Sequence, residues 1–67
     1  MPRVDPYAIC IRIVRCLAAQ GPATEAEIAE RVKQRQATVQ KSLRLLLNQE
    51  RISVSIDGDR RLYRYEH

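Results

Sequence analysis

The chain is poor in glycine and histidine and contains no tryptophan or phenylalanine. Among its 67 residues are two glycines and one histidine, and the histidine is the last residue. A glycine-rich loop that cradles phosphate and a catalytic pair built on an internal histidine are therefore excluded. The Cys, His, Asp and Glu residues also lack metal-site spacing. We expect no enzyme activity, no metal and no cofactor.

Cysteines and long apolar runs are also scarce. Cys10 and Cys16 are six residues apart, which on a helix places them roughly 240° apart around the axis. They can therefore neither form an intramolecular disulfide nor hold one metal, and two reduced thiols are typical of the cytoplasm. Arg12 and Arg15 interrupt the longest apolar run, so we expect no membrane span and no signal peptide. The predicted location is cytoplasmic, on the nucleoid if the source is bacterial or archaeal.

The chain is rich in apolar residues and carries a net positive charge. Apolar residues make up 45% of the chain and charged residues 30%, which is typical of a folded protein. The length suits one domain, residues 1–67, near the lower limit for an independent core, so a second copy would help. It leaves no room for the usual pocket of a small-molecule effector. A net charge of +4, mostly from arginine, favours a polyanionic partner, although basic residues also serve solubility.

The first predicted helix runs from about residue 6 to residue 20. Asp5 and Pro6 are a strong helix start, and Gly21-Pro22 ends the helix. The inward-facing stripe consists of Ile9, Cys10, Ile13, Val14 and Leu17. Tyr7, Ile11 and Ala18 flank this stripe and predict a dimer or partner interface, for which Leu45 and Leu47 of the third helix are second candidates. Alternatively, residues 1–4 or the tyrosines of the hairpin cover the flank.

Two more helices follow. Thr24 and Glu27 form a capping box at the start of a helix over about 25–33, in which Ile28, Ala29 and Val32 face inward. The third helix covers about 36–49. Its core-facing residues are Val39, Leu43 and Leu46.

A β-hairpin over about 52–65 closes the chain. Ile52, Val54 and Ile56 alternate with serines, which predicts a half-buried strand, and Asp57-Gly58-Asp59 is a turn signal. With a loop of either two or four residues, these even positions share a face with positions 61, 63 and 65. We therefore expect Tyr63 and Tyr65 to cover the core. Three arginines would then concentrate positive charge on the hairpin: Arg60, Arg61 and Arg64.

The segment from Arg31 to Gln49 contains five basic residues and no carboxylate. On the third helix, glutamine, lysine and arginine gather on the side opposite the core. The DNA major groove accepts such a face, because Lys and Arg bind phosphate and guanine and Gln binds adenine. The alternative is an ordinary solvated helix face, which is less favoured because the run contains no ion pairs.

Taken in order, these elements resemble the winged helix-turn-helix superfamily, in particular its small stand-alone prokaryotic or phage-type transcriptional regulators. The segments that carry the resemblance are 13–17, 21–24, 26–32, 37–39 and 43–46, followed by Ile52 and Asp57-Gly58. The implied fold class is α+β, a three-helix core with a C-terminal two-stranded β-hairpin wing. Three features depart from the family, and one of them is Leu47, at a position that is often polar in relatives. The turn before the third helix, Lys33-Gln34-Arg35, lacks a small capping residue, and Glu50-Arg51 stands where glycine is common.

The resemblance implies sequence-specific binding of double-stranded DNA by a homodimer that regulates transcription, with repression expected. The third helix would enter the major groove, and the wing would lie along the backbone or enter the minor groove. The implied DNA-binding residues are Arg35, Gln36, Thr38, Gln40, Lys41, Arg44, Arg60, Arg61 and Arg64, with Thr24 as a weaker candidate. The alternative is a winged-helix module that binds a protein and no nucleic acid. Single-stranded nucleic acid is disfavoured, because two of the three tyrosines are expected to be buried.

Overall fold

A computed structural model describes residues 6–66 of the chain. In chain order, the elements are α1 (Pro6–Gln20), α2 (Glu25–Val32), α3 (Gln36–Asn48), β1 (Ile52–Asp57) and β2 (Arg60–Tyr65). The fold class is therefore the predicted one, three helices followed by an antiparallel hairpin. Helices α2 and α3 each end one residue before the predicted end. Asp5, the predicted cap of the first helix, lies outside the described residues.

The start of α2 has the predicted capping box. The Glu27 backbone N–H donates to the Thr24 hydroxyl oxygen at 3.3 Å, and the Thr24 backbone N–H donates to Glu27 Oε1 at 3.0 Å. These reciprocal bonds satisfy two amides that the helix itself leaves without partners. They also fix the direction in which α2 leaves the preceding loop.

Helices α2 and α3 are each followed, within two residues, by a left-handed residue that is not glycine. Lys33 and Glu50 each have a φ of 57°, which glycine adopts without the steric cost that a side chain brings. In both turns the next residue donates back across the helix end. The Gln34 N–H reaches the Ala29 carbonyl and the Arg51 N–H reaches the Leu46 carbonyl, each at 3.0 Å. Arg35, at the start of α3, makes no side-chain capping bond, as its residue type predicts.

The hairpin has a two-residue loop, the shorter of the two predicted lengths. Asp57 pairs with Arg60, so Gly58 and Asp59 form the loop, and Gly58 supplies a positive φ of 63°. Val54 pairs with Tyr63 in this register, which places the even positions of β1 opposite the odd positions of β2. The predicted shared face is therefore present.

An isolated β-bridge, which the sequence pattern does not predict, connects the hairpin to the segment between α1 and α2. Ala23, between α1 and α2, forms an isolated antiparallel bridge with Tyr63 of β2. The Ala23 N–H donates to the Tyr63 carbonyl at 3.1 Å, and the Tyr63 N–H donates to the Ala23 carbonyl at 2.8 Å. Both residues are buried, so the bridge anchors the base of the wing inside the core.

One apolar core joins the three helices and the base of the wing. Its members are Ile9, Cys10, Ile13, Leu17, Ala23, Ile28, Ala29, Val32, Val39, Leu43, Leu46, Ile52 and Tyr63. Val14, predicted to belong to the buried stripe, is only half-buried, as is Tyr65. The prediction of a half-buried first strand is wrong beyond its beginning, because Val54 and Ile56 are 43% and 76% exposed. The hairpin extends past the helices, so its outer part has no core to cover. None of the described helices has the length and apolar character needed to cross a membrane.

Candidate nucleic-acid interface

The outer face of α3 carries most of the predicted DNA-binding residues. Val39, Leu43 and Leu46 turn the opposite face into the core, and helical periodicity leaves the polar residues outside. Thr38 is half-buried. The remaining predicted residues on or next to this helix are exposed: Arg35, Gln36, Gln40, Lys41 and Arg44.

The three wing arginines are exposed, but the pleat of β2 divides them between two faces. Arg61 lies on the face of Tyr63 and reaches the same cleft as Arg44 of α3. Arg64 lies on the opposite face, in a separate cleft beside Gly21-Pro22 at the end of α1. The expectation of one positive site on the hairpin is therefore wrong, because the structure brings only Arg61 to the cleft beside α3.

The cleft between α3 and the wing, called here the α3–wing cleft, is bounded by Glu25, Gln40, Leu43, Arg44, Leu47, Arg61 and Tyr63 and has a volume of about 260 Å³. The two leucines and the tyrosine provide apolar surface. The polar residues come from three elements, α2, α3 and β2. Two of them carry positive charge and one carries negative charge, so the cleft can accept an anionic group and offers hydrogen-bonding groups beside it.

Glu25 is the member of this cleft that the sequence analysis left out. Its side chain accepts a hydrogen bond from Gln40 Nε2, with 2.9 Å between Nε2 and Glu25 Oε1. A carboxylate at the start of a helix repels phosphate, so the sequence offers only Thr24 as a DNA-binding candidate in this region. Nothing in the local pattern links residues 25 and 40, since the contact joins two helices and follows no helical or strand period.

Glu27, at the start of α2, is also engaged rather than free. Within residues 6–66, Glu27 forms an ion pair with Arg31, with 3.9 Å between Nη2 and Oε2. Hydrogen bonds from the Thr24 backbone and hydroxyl lower the pKa of Glu27, and the positive charges of Arg31 and Arg60 lower it further. No ion pair involving Arg44 or Arg61 is present among the described residues, so both guanidinium groups remain available to a ligand.

The predicted dimer or partner residues do not form one continuous surface. Tyr7 and Ile11 are 65% and 53% exposed and lie in an apolar groove of about 430 Å³ between α1 and the end of α3. Ala18 is exposed but lies in the cleft of Arg64, and Leu47 lies in the α3–wing cleft. Leu45 is half-buried and packs against the core. Among residues 6–66, the groove is lined by Tyr7, Cys10, Ile11, Val14, Arg15, Leu46, Gln49 and Arg51.

The described residues form a winged-helix domain. It consists of three helices, an isolated β-bridge and a two-stranded wing. Solved structures share this fold over most of the chain. The apo-Zalpha domain of zebrafish PKZ has a TM-score of 0.88 at 21% identity, covering 92% of this chain and 97% of that one. The Zalpha domain of Carassius auratus PKZ, solved in complex with Z-DNA, has a TM-score of 0.82 at 16% identity, with coverages of 91% and 97%.

The same fold also occurs inside a larger enzyme. Human N-acetylserotonin methyltransferase in complex with SAM has a TM-score of 0.76 at 23% identity, and the similarity covers 92% of this chain but 19% of that one. No protein-family model and no curated protein sequence matches the chain. At these identities the similarities show the winged-helix fold, and a function has to be argued from the residues of the site.

Proposed function

We propose that this winged-helix domain binds double-stranded DNA through the outer face of α3 and the wing. The observation that carries the proposal is the α3–wing cleft, where Arg44 and Arg61 converge from two elements without an ion-pair partner among residues 6–66. The Z-DNA complex of the Carassius auratus domain adds support, because a chain of the same fold binds a DNA duplex.

The residues divide by the contacts that they would make. Gln36, Gln40 and Lys41 present amide and ammonium groups for base edges, with Arg35 and Thr38 at the start of the helix. Arg44 would bind phosphate. The wing would add phosphate contacts along the backbone or in the minor groove through Arg60, Arg61 and Arg64.

The finer proposal is a sequence-specific regulator of transcription that acts as a repressor in the cytoplasm, on the nucleoid if the source is bacterial or archaeal. Its support is the mixture of base-reading and phosphate-binding side chains on one helix. A different finer reading is recognition of duplex shape, which the Z-DNA complex of a similar structure brings into consideration. The two readings differ in whether base sequence or helix conformation selects the DNA.

The test is a titration of a labelled pool of random duplexes at low and at physiological salt, followed by sequencing of the bound fraction. An alternating CG duplex is titrated in parallel, and circular dichroism reports conversion to the left-handed form. Enrichment of a common motif would support the sequence-specific regulator. Left-handed conversion without an enriched motif would support shape recognition. Absence of retention at low salt would overturn the proposed DNA binding.

The homodimer stays a prediction of the same proposal. Tyr7 and Ile11 offer exposed apolar area, which a second copy would bury, and two copies would bind an inverted repeat. Sedimentation at high micromolar concentration, in low and moderate salt, tests the prediction. A monomer in both salts would contradict it.

The apolar groove between α1 and the end of α3 favours a second candidate function, a protein-interaction module. Within the described part of the chain, its charged lining residues, Arg15 and Arg51, are both basic. The partner that complements them is a peptide with apolar anchor residues flanked by acidic ones. If the random duplex pool is not retained at low salt, binding of a labelled peptide of this composition, with Ile11→Asp as the disrupted variant, becomes the test.

A further inference from the structure

The contact between Gln40 and Glu25 fixes which way the Gln40 amide points. A carboxylate can only accept hydrogen bonds, so the Gln40 atom that lies 2.9 Å from Glu25 Oε1 has to be the amide nitrogen. The Gln40 carbonyl oxygen is therefore directed away from this contact. Glu25 itself is placed by the start of α2, because the capping box formed by Thr24 and Glu27 orders the first turn.

This orientation changes what Gln40 can recognise. A free glutamine places an acceptor and a donor side by side and can bind adenine with both. The bond to Glu25 uses one of the two N–H groups of the amide, so the carbonyl oxygen and the second N–H remain, and the contact fixes where the carbonyl oxygen points. In the major groove, adenine and cytosine present amino groups that can donate to this carbonyl oxygen, whereas guanine and thymine present acceptors only and leave the oxygen without a donor.

We propose that Glu25 is a positioning residue that presents the Gln40 carbonyl oxygen to the exocyclic amino group of adenine or cytosine on one DNA strand. The inference rests on the proposed DNA binding. What it adds is a base preference at one position of the DNA. This preference depends on the Glu25 carboxylate, which need not touch the DNA. Arg44 and Arg61 border the same cleft and offset the negative charge of Glu25 where a phosphate would approach.

A purely structural role for the contact would have different consequences. If the hydrogen bond only linked α2 to α3, its loss would lower stability and leave base preference unchanged. If Glu25 acted only as a charge, its removal would strengthen binding to all duplexes alike. The discriminating readout is therefore the preference at one base position, measured apart from overall affinity.

The experiment compares bound-fraction sequencing from a random duplex pool for the unchanged chain, Glu25→Ala, Gln40→Ala and Glu30→Ala. Glu30 is an exposed carboxylate on the same helix with no contact to α3 among the described hydrogen bonds and ion pairs, so its removal matches the change in charge. We expect adenine or cytosine at one position for the unchanged chain and for Glu30→Ala. Glu25→Ala and Gln40→Ala should each reduce that preference by about fivefold or more, leaving other positions unchanged.

A measurement without DNA checks the premise. In the unchanged chain, hydrogen bonding to the carboxylate should widen the difference in NMR shift that the two Gln40 side-chain amide protons have in a free glutamine and slow the exchange of the bonded proton with solvent. Glu25→Ala should abolish both effects. Unchanged amide signals in this variant would overturn the inference.

The DNA experiment separates failure of the inference from failure of the proposed function. Equal base preferences for Glu25→Ala and Glu30→Ala would overturn the positioning role and leave DNA binding intact. Retention of DNA without any preferred base would do the same. If no duplex is retained at low salt, the proposed DNA binding fails and this inference fails with it.

Discussion

Ala23 and Tyr63, which lie 40 positions apart in the chain, exchange two backbone hydrogen bonds of 3.1 and 2.8 Å. Both residues are buried, at 0% and 6% exposure. The base of the wing is therefore held by the loop between α1 and α2 as well as by packing. Since buried backbone groups without partners are costly, this bridge should determine how firmly the wing is positioned.

Ala23→Pro is expected to weaken that anchor. Proline removes the N–H that bonds to the Tyr63 carbonyl and leaves a buried acceptor without its partner, which should cost about 1–3 kcal/mol in free energy of unfolding. Urea denaturation measures the loss, and faster hydrogen exchange of the Tyr63 amide should accompany it. Ala26→Pro is the control, because Ala26 lies in the first turn of α2, where proline is tolerated. Equal losses for the two variants would contradict the anchoring role.

Replacement of Ser42, unlike that of Ala23, is expected to stabilise the fold. Its side chain is 1% exposed, and its hydroxyl oxygen has no hydrogen-bond partner within the described part of the chain. A buried hydroxyl without a partner is unfavourable, so Ser42→Ala should raise the free energy of unfolding by about 1 kcal/mol. The Ser42 backbone carbonyl still accepts from Cys10 Sγ, at 3.6 Å, in the variant. A lower urea midpoint for Ser42→Ala would show that the hydroxyl is satisfied in solution.

The lowered pKa of Glu27 predicts how stability depends on pH. Hydrogen bonds from Thr24 favour the charged carboxylate in the folded state, so this group stabilises the fold above its ordinary pKa of 4.5. The stabilisation is lost as the pH falls through the lower folded pKa. Glu27→Gln preserves a capping-box side chain without the charge. Its difference from the unchanged chain in urea midpoint should be constant near neutral pH and shrink in acid. A difference that stays constant down to pH values well below 4.5 would contradict the assignment.

The helices and the hairpin could be predicted because their determinants are local. The capping box of Thr24 and Glu27, the apolar period of α3 and the Asp57-Gly58-Asp59 turn each lie within a few residues. Strand alternation also predicted which residues share a face. It could not predict that Val54 and Ile56 are exposed, because alternation does not show how far the helical core extends beneath the hairpin.

Contacts between distant segments were not predictable in the same way. The bridge from Ala23 to Tyr63 and the bond from Gln40 to Glu25 follow no periodicity, and each depends on how whole elements pack. The exposed face of α3 was predicted correctly as a surface. The sequence could not show that Gln40 on this face is already hydrogen-bonded, because its partner Glu25 comes from α2.

The division of α3 into phosphate-binding and base-reading residues makes a prediction about salt. Arg44→Ala should weaken binding to all duplexes and flatten the slope of log affinity against log salt by about 1. Gln40→Ala should leave the slope unchanged and relax the preference at one base pair by roughly 1–3 kcal/mol. Arg12→Ala is the matched control, because Arg12 is exposed on α1, in a cleft away from α3 and the wing. The division is wrong if Arg44→Ala and Gln40→Ala have the same effects on preferred and random DNA.

The position of the wing on DNA can be determined by mutation, because Arg61 and Arg64 lie on opposite faces of β2. In the register of the hairpin, Arg61 pairs with Ile56 and Arg64 pairs with Ser53, so a ribbon lying flat on the DNA backbone presents one of the two. A ribbon inside the minor groove lies between the two DNA strands, so each of its faces is turned toward one of them. Since Arg61 shares the cleft of Arg44, Arg61→Ala should flatten the salt slope by about 1 in either arrangement.

Arg64→Ala then distinguishes the two positions of the wing. A similar flattening of the slope would place the wing in the minor groove, whereas an unchanged slope would place it along the backbone. The double variant tests the interpretation, because two independent phosphate contacts should change the slope by about 2. If neither single variant nor the double variant differs from Arg12→Ala, the wing makes no phosphate contact. The positive surface for DNA would then be confined to α3 and the segment leading into it.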